Sequence, residues 1–514
     1  MKHIQNIFAS LALGATLVSC NMGDFGDINI TPNSPSESPT SMLFTYSARQ
    51  VRVFTMNATT YDPWIPLRTG YLSESKNNQY GAMRTTTTFA TGSYYTAYIK
   101  NLNEIIARCE NDETNTLTSV ITFGEPTNQI AVAKTLRAFF FMTLTDILGP
   151  LPYSEAFKGD SEGIWTPKFD SQEDIYAALD TDLNEAYSLF DTNSSLSTAD
   201  ILYGGDIAKW KKFNASLRMM MAIKMADVDP ANGKTRFAKA YADGGMTEVG
   251  DGFHYTFDSN NAYAWMYYTG NMNYNARDLN FVPNKVIVDA LKEHNDPRMF
   301  SYFTLDGYKG KVDGDPYDVN AYKGVPFGLV SNDDVTAAAT GCCSVNATYC
   351  AQTATYGVIT TARTLLVEAE AAELGWINAD PEALYEAGIR ASFGFQAAYH
   401  TAVDGVEEYL ASDKVKLSSD KDEAIAQIVM QRFLAGFLTD GIESWSDWRR
   451  FNIPILPVNE GQAAYGVTVY PYRMSYDAAD KQYNVENSEA AINTWLGGED
   501  SRWSRVWWDV ADNE

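Results

Sequence analysis

Along most of the chain, apolar residues recur every three or four positions, the spacing of one helix face. Leu136, Phe139, Phe140, Leu144, Ile147 and Leu148 form one such stripe, and Gly149-Pro150 predicts its end. A second begins at a cap on Asp170 and runs through Ile175, Tyr176, Leu179, Leu183, Ala186 and Phe190. Trp210, Phe213, Leu217, Met220, Met221 and Met225 make a third. Asp380-Pro381 opens a helix carrying Tyr385, Ile389 and Phe393, and Asp420 with Glu423 predicts a capping box ahead of Ile425, Ile428, Val429, Phe433 and Phe437. Residues 362–375 and 381–397 together make a helix–turn–helix unit of about the tetratricopeptide period, without the strict residue pattern of that repeat. The pattern therefore predicts a mainly α fold of tetratricopeptide-like α-α helix pairs.

Three stretches break the periodicity: 61–96, 244–282 and 303–358. They are rich in Gly, Asn, Asp and Tyr and too long to be simple connectors, so they read as irregular insertions that carry function. The first holds Tyr61, Trp64, Tyr71, Asn77, Asn78 and Tyr80; the second holds Tyr263, Trp265, Tyr267, Tyr268, Asn271, Asn273, Tyr274 and Arg277. Sugar rings present apolar C–H faces and a rim of hydroxyls, so a site for them needs flat aromatic platforms beside amide and guanidinium groups. Trp64, Tyr71, Asn78, Tyr80, Trp265, Tyr267, Tyr268, Asn271, Asn273 and Arg277 are the candidate ligand-binding residues on that ground. Each aromatic has the alternative of simply anchoring its loop.

The N-terminus follows different rules. A basic start, Met1-Lys2-His3, leads into an apolar run over Ile7–Val18, too short to span a bilayer. Leu17 at −3, Ser19 at −1 and Cys20 at +1 form the pattern of a bacterial lipoprotein signal, with residues 1–19 removed and Cys20 lipidated. Residues 20–41, rich in Pro, Ser, Asn and Asp, cannot bury a core and read as a tether. Residues 42–514 are left as one helical body. The net charge of −26 argues against nucleic acid and against anionic headgroups as partners, so membrane attachment must come from the lipid.

Catalytic signatures are missing from the sequence: it contains no G-x-S-x-G, Walker loop, G-x-G-x-x-G or H-E-x-x-H. His254, His294 and His400 are widely spaced, and no metal or cofactor is expected. Cys109, Cys342, Cys343 and Cys350 read as disulfides or free thiols in preference to a zinc site. The Asp313–Asp318 segment lacks the Gly and Glu of a calcium loop and reads as a polar turn. Glu368, Glu370 and Glu373 are expected on a solvated helix face or in capping roles.

Several segments share an order with one known family. They include Asp24-Phe25-Gly26-Asp27, Thr145-Asp146-Ile147-Leu148-Gly149-Pro150-Leu151-Pro152-Tyr153-Ser154-Glu155-Ala156, Trp210-Lys211-Lys212-Phe213, Asn295-Asp296-Pro297-Arg298, Glu368-Ala369-Glu370-Ala371 and Trp445-Ser446-Asp447-Trp448-Arg449-Arg450. Together they resemble the SusD/RagB family, nutrient-binding outer-membrane lipoproteins of Bacteroidota. The resemblance implies a SusD-like helical fold and a non-enzymatic role. It also implies display at the outer membrane beside a SusC-like TonB-dependent transporter, to which a captured oligosaccharide is delivered. A peptide-binding RagB-like protein is the alternative within the family, and a surface glycoside hydrolase the alternative outside it. The matched segments lie on scaffold helices, and the family supplies no fixed ligand motif to carry over.

Overall fold

The structure, a computed structural model, describes residues 38–56, 64–78, 80–81, 83, 88–260, 281–307 and 310–510. The expected signal, Cys20 and nearly all of the tether lie outside them. The chain divides between Pro39 and Thr40, and the second unit is built mainly from paired helices. The helices that build the scaffold include α1 Thr40–Ala48, α2 Ile99–Glu110, α3 Pro126–Leu148, α4 Gln172–Leu189, α5 Ile207–Lys224, α6 Pro230–Asp243, α7 Thr361–Glu373, α8 Pro381–Tyr399, α9 Lys421–Ala435 and α10 Gly441–Phe451. The pairs α3/α4, α5/α6 and α7/α8 pack side by side in sequence order, α2 lies on α3, and α9 lies on α7.

The ends of these helices follow local chemistry. Gly149, at φ 80°, stops α3 as the Gly-Pro pair predicts. Asp380 accepts from the amides of Glu382 and Ala383 and starts α8 with Pro381 in its first turn. Two expected caps differ. Helix α4 is capped by Ser171, which accepts from Asp174 N; Asp170 instead receives the amides of Tyr153 and Ser154, pinning the preceding turn. At α9, Asp420 caps as expected, but Glu423 accepts from the Ser418 hydroxyl, which also receives Asp420 N. A serine relay stands in for the second half of the box.

Helix α3 is apolar nearly all round because it is covered on every side, as is usual for a central helix. Charge runs through the same interior. Lys224 Nζ on α5 donates to Asp146 Oδ2 on α3 (2.7 Å) and Glu443 Oε1 on α10 (2.8 Å). Burial alone would lower the Lys224 pKa, but these two carboxylates hold it above the usual lysine value. Asp146 Oδ1 also receives Tyr176 Oη and Trp508 Nε1. The Arg449 guanidinium sits between the Trp445 and Trp508 rings, 3.9 and 4.3 Å from their centroids. Farther along the same seam, Glu370 receives Arg432 and Arg450, and Asp447 receives Arg363. Glu368 and Glu370 of α7 are thus a correction to the expected solvated face, being 4% and 1% exposed, because α5, α8 and α9 cover the helix; Glu373 is half-buried. Burial pushes the Glu368 carboxyl up to about 8.

The strands are short, and three pairs of them fasten the long insertions: these use β1 Leu72–Glu74, β2 Thr88–Phe89, β3 Phe253–Thr256, β4 Phe281–Pro283, β5 Thr355–Ile359 and β6 Ser475–Tyr476. β1 pairs antiparallel with β4, β3 antiparallel with β5, and β2 parallel with β6. Among the described residues, no helix is long and apolar enough to cross a membrane.

Candidate functional site

The β1/β4 pair brings the flanks of the two aromatic insertions together. Leu72 faces Pro283, Ser73 faces Val282 and Glu74 faces Phe281. Asn78 and Tyr80 follow β1 within six residues in sequence. A third strip, Gly324–Asn332 from the 303–358 insertion, is bonded to both strands. Val325 N donates to Pro283 O, Lys285 N to Val325 O, and Ser73 Oγ to Pro326 O. Asn284 adds its own amide to Tyr71 O and its side-chain amide to Leu72 O. Gly81 packs where any Cβ would meet the Gly328 backbone at 2.9 Å, so only glycine allows this approach. Gly461 N on Gly328 O and Asn459 Nδ2 on Phe327 O fasten the strip from behind. Three insertions far apart in sequence therefore share one junction.

The junction sorts the candidate residues. Asn78 is a wall residue: its side-chain amide donates to Val330 O and its backbone amide to Asn332 Oδ1. Tyr80 is half-buried, with its ring 6.2 Å from that of Phe281, and its amide closes the turn onto Glu74. Tyr71 is a correction. It is 1% exposed, stacked on Phe433 at 4.9 Å and 6°, with its hydroxyl donating to Phe433 O. Burial raises its pKa far above the ordinary tyrosine value, and Tyr71 belongs to the core rather than to a ligand surface. Its periodic place just before β1 points it inward. Trp64 opens the short helix Trp64–Arg68. Trp265, Tyr267, Tyr268, Asn271, Asn273 and Arg277 lie outside the described residues.

The other chemistry-bearing groups are mostly sequestered. His254 is buried and His400 half-buried, and desolvation lowers them to about 3 and about 4; the His400 ring stacks on Tyr349 at 3.7 Å. All four described cysteines are buried free thiols. Asp315 and Asp318 accept from amides of their own turn. Among the described residues no cluster of His, Cys, Asp or Glu could hold a metal ion. A cleft of about 340 Å³ opens between His294, Lys414, Met430 and Ile455. Two of its polar groups are spent on the backbone: Lys414 Nζ donates to Glu293 O, and His294 Nδ1 meets Ala290 O. Sequence reasoning missed the large aromatics that stand in water outside the named insertions, Trp165 and Tyr483 among them.

Comparison with known proteins agrees with this architecture. Residues 32–477 match the model of the SusD-like family described as starch-binding and associating with the outer membrane. Among solved structures, a SusD homologue from Bacteroides fragilis is 23% identical with a TM-score of 0.75, covering 91% of this chain and 99% of its own. A homologue from Bacteroides uniformis is 22% identical with a TM-score of 0.74, covering 91% and 99%. A chitin-binding SusD homologue from Flavobacterium johnsoniae is 23% identical with a TM-score of 0.72, covering 92% and 100%. No curated protein matches the sequence. A helical-pair scaffold, insertions fastened at one junction and a family match over most of the length lead to one assignment: the chain belongs to the SusD-like family.

Proposed function

We propose that this chain is a non-enzymatic outer-membrane lipoprotein that binds neutral oligosaccharides and passes them to a SusC-like TonB-dependent transporter. The observation that carries the reading is the junction of β1, β4 and the 324–332 strip, which joins the roots of two aromatic, amide-rich insertions. Aromatic faces stack on sugar C–H surfaces, and amides satisfy the hydroxyl rim. Sugar contacts are assigned to Trp64, Tyr80 and the 265–277 residues, with Asn78 positioning its loop. The family description as starch-binding and the chitin-binding relative support a glycan as cargo. The acidic balance of the chain favours uncharged sugars over anionic ones. Attachment comes from lipid on Cys20, and the 20–41 tether keeps the body near the transporter at high effective concentration.

Calorimetry of the mature protein against a broad glycan panel tests the reading; binding to no member sinks it. Release of reducing sugar by the pure protein, abolished by a single carboxylate change, would instead establish the hydrolase. For the anchor, Cys20→Ala should move the protein from the membrane fraction to the soluble one with its fold intact. Co-purification with a TonB-dependent transporter tests the delivery step.

A further inference from the structure

We propose that Trp165 and Tyr483 form a second sugar-stacking platform, separate from the 61–80 and 263–277 insertions, which takes a pyranose ring of a neutral oligosaccharide. This rests on the glycan-binding reading above. Trp165 is 74% exposed and Tyr483 78%. A single exposed apolar side chain needs no explanation. Two large rings held in water on segments bonded to each other are a different matter.

The Trp165 turn is built rigidly. Gly163, at φ 73°, ends the turn Gly159–Glu162, and Ile164 N returns to Lys158 O. The indole lies against Gly159, where an added Cβ would meet its six-membered ring at 2.7 and 2.8 Å, so the missing side chain is its seat. Lys168 N closes the far side onto Glu155 Oε2 (2.8 Å). The segment carrying Tyr483 is clipped to this turn by two side-chain amides. Asn484 Nδ2 donates to Pro167 O (2.6 Å) and Asn487 Nδ2 to Thr166 O (2.9 Å). Both rings therefore stem from neighbouring, pre-organised backbone, which cuts the entropy a ligand must offset.

The surroundings select the ligand. Asp160, Glu162 and Glu486, within five residues of Trp165 or Tyr483 in sequence, are exposed. Carboxylates and amides suit hydroxyl groups and repel anions. The platform also continues the first insertion. Its last strand, β2, pairs with β6, and Thr91 bonds Asp480 through both amide and hydroxyl (3.2 and 2.9 Å), three residues before Tyr483.

The test is calorimetry of the full mature chain with hexasaccharides of α-1,4-glucose, β-1,4-glucose, β-1,4-xylose and β-1,4-N-acetylglucosamine. Trp165→Ala and Tyr483→Ala are each expected to weaken the best-bound probe about tenfold, while Trp165→Phe recovers most of the loss. Unchanged melting temperatures exclude a folding defect, as both side chains lie in solvent. Wild-type affinity in both alanine variants overturns the platform and leaves the glycan reading standing. If the variants bind glycan normally but no longer co-purify with the transporter, the face is a protein contact and the platform is again overturned. Binding of none of the four probes by the wild-type chain overturns the platform, and the broad glycan panel then decides the glycan reading separately.

Discussion

The helical interior and the loop junction are both held by polar groups, but they use them in opposite ways. In the interior, whole charges are sealed from water and answered by one another: Lys224 between Asp146 and Glu443, Glu370 between Arg432 and Arg450. At the junction, the bonds run mostly between backbone amides, carbonyls and short side chains such as Ser73, Asn78 and Asn284. The first arrangement fails badly when one partner is lost, since a stranded buried charge is costly. The second loses one modest bond at a time. The segments that resemble the family, around Asp146, Glu370 and Arg449, supply the first arrangement. They specify the scaffold.

The contrast can be broken at several points. Lys224→Met strands two buried carboxylates, and chemical denaturation should show a loss of about 3–5 kcal/mol. A loss below about 1 kcal/mol would mean that the charged seam is not structurally decisive. Glu368→Gln should act in the opposite direction and depend on pH. The Glu368 carboxyl is raised by burial from 4.5 to about 8, so the folded chain keeps a proton that the unfolded chain releases as pH climbs through that window. Wild-type stability contributed by this group falls between pH 4.5 and 8, with no further change above about 8. The glutamine variant lacks that decline and should gain a few kcal/mol over wild type by pH 8. Equal melting-temperature profiles for both proteins from pH 5 to 8 would refute it. Tyr71→Phe removes a buried hydroxyl, taking one of the two donors from Phe433 O and a partner from Ser444 Oγ, for about 1–2 kcal/mol. Glycan affinity should stay unchanged, and a change would return Tyr71 to the binding surface. The smallest effect is expected for Asn78→Ala. It should cost about 1 kcal/mol or less in stability, with its clearer signature in weaker glycan binding as the first insertion loosens.

Much of the scaffold was legible because a helix stripe reports its inward face directly. Leu136 to Leu148 and Trp210 to Met225 lie where their spacing puts them. Periodicity does not report whether the opposite face is covered as well. That is why Glu368 and Glu370 read as solvated, although the alanines around them, which let neighbouring helices approach closely, carried a hint. Asp170 and Ser171 are both good caps, and only the turn at Tyr153–Ser154 decides which one caps α4. The long insertions were legible as carriers of function from length and composition. Their meeting point was not, because β1, β4 and the 324–332 strip are three to nine residues long, with some two hundred residues between β1 and β4 and some forty between β4 and the strip. Tyr71 shows the same limit at one residue: composition placed it among the loop aromatics, and one step before β1 turns it into the core.

The junction also links the insertions in time. The amides of Asn284, Lys285, Val325 and Gly461 donate between segments of the junction, to Tyr71, Val325, Pro283 and Gly328. Hydrogen exchange should therefore find the four amides opening as one cooperative unit, with a common opening free energy and a common response to denaturant. A latch of that kind turns three insertions into one moving part, so an event on one of them is felt by the others before any helix has shifted.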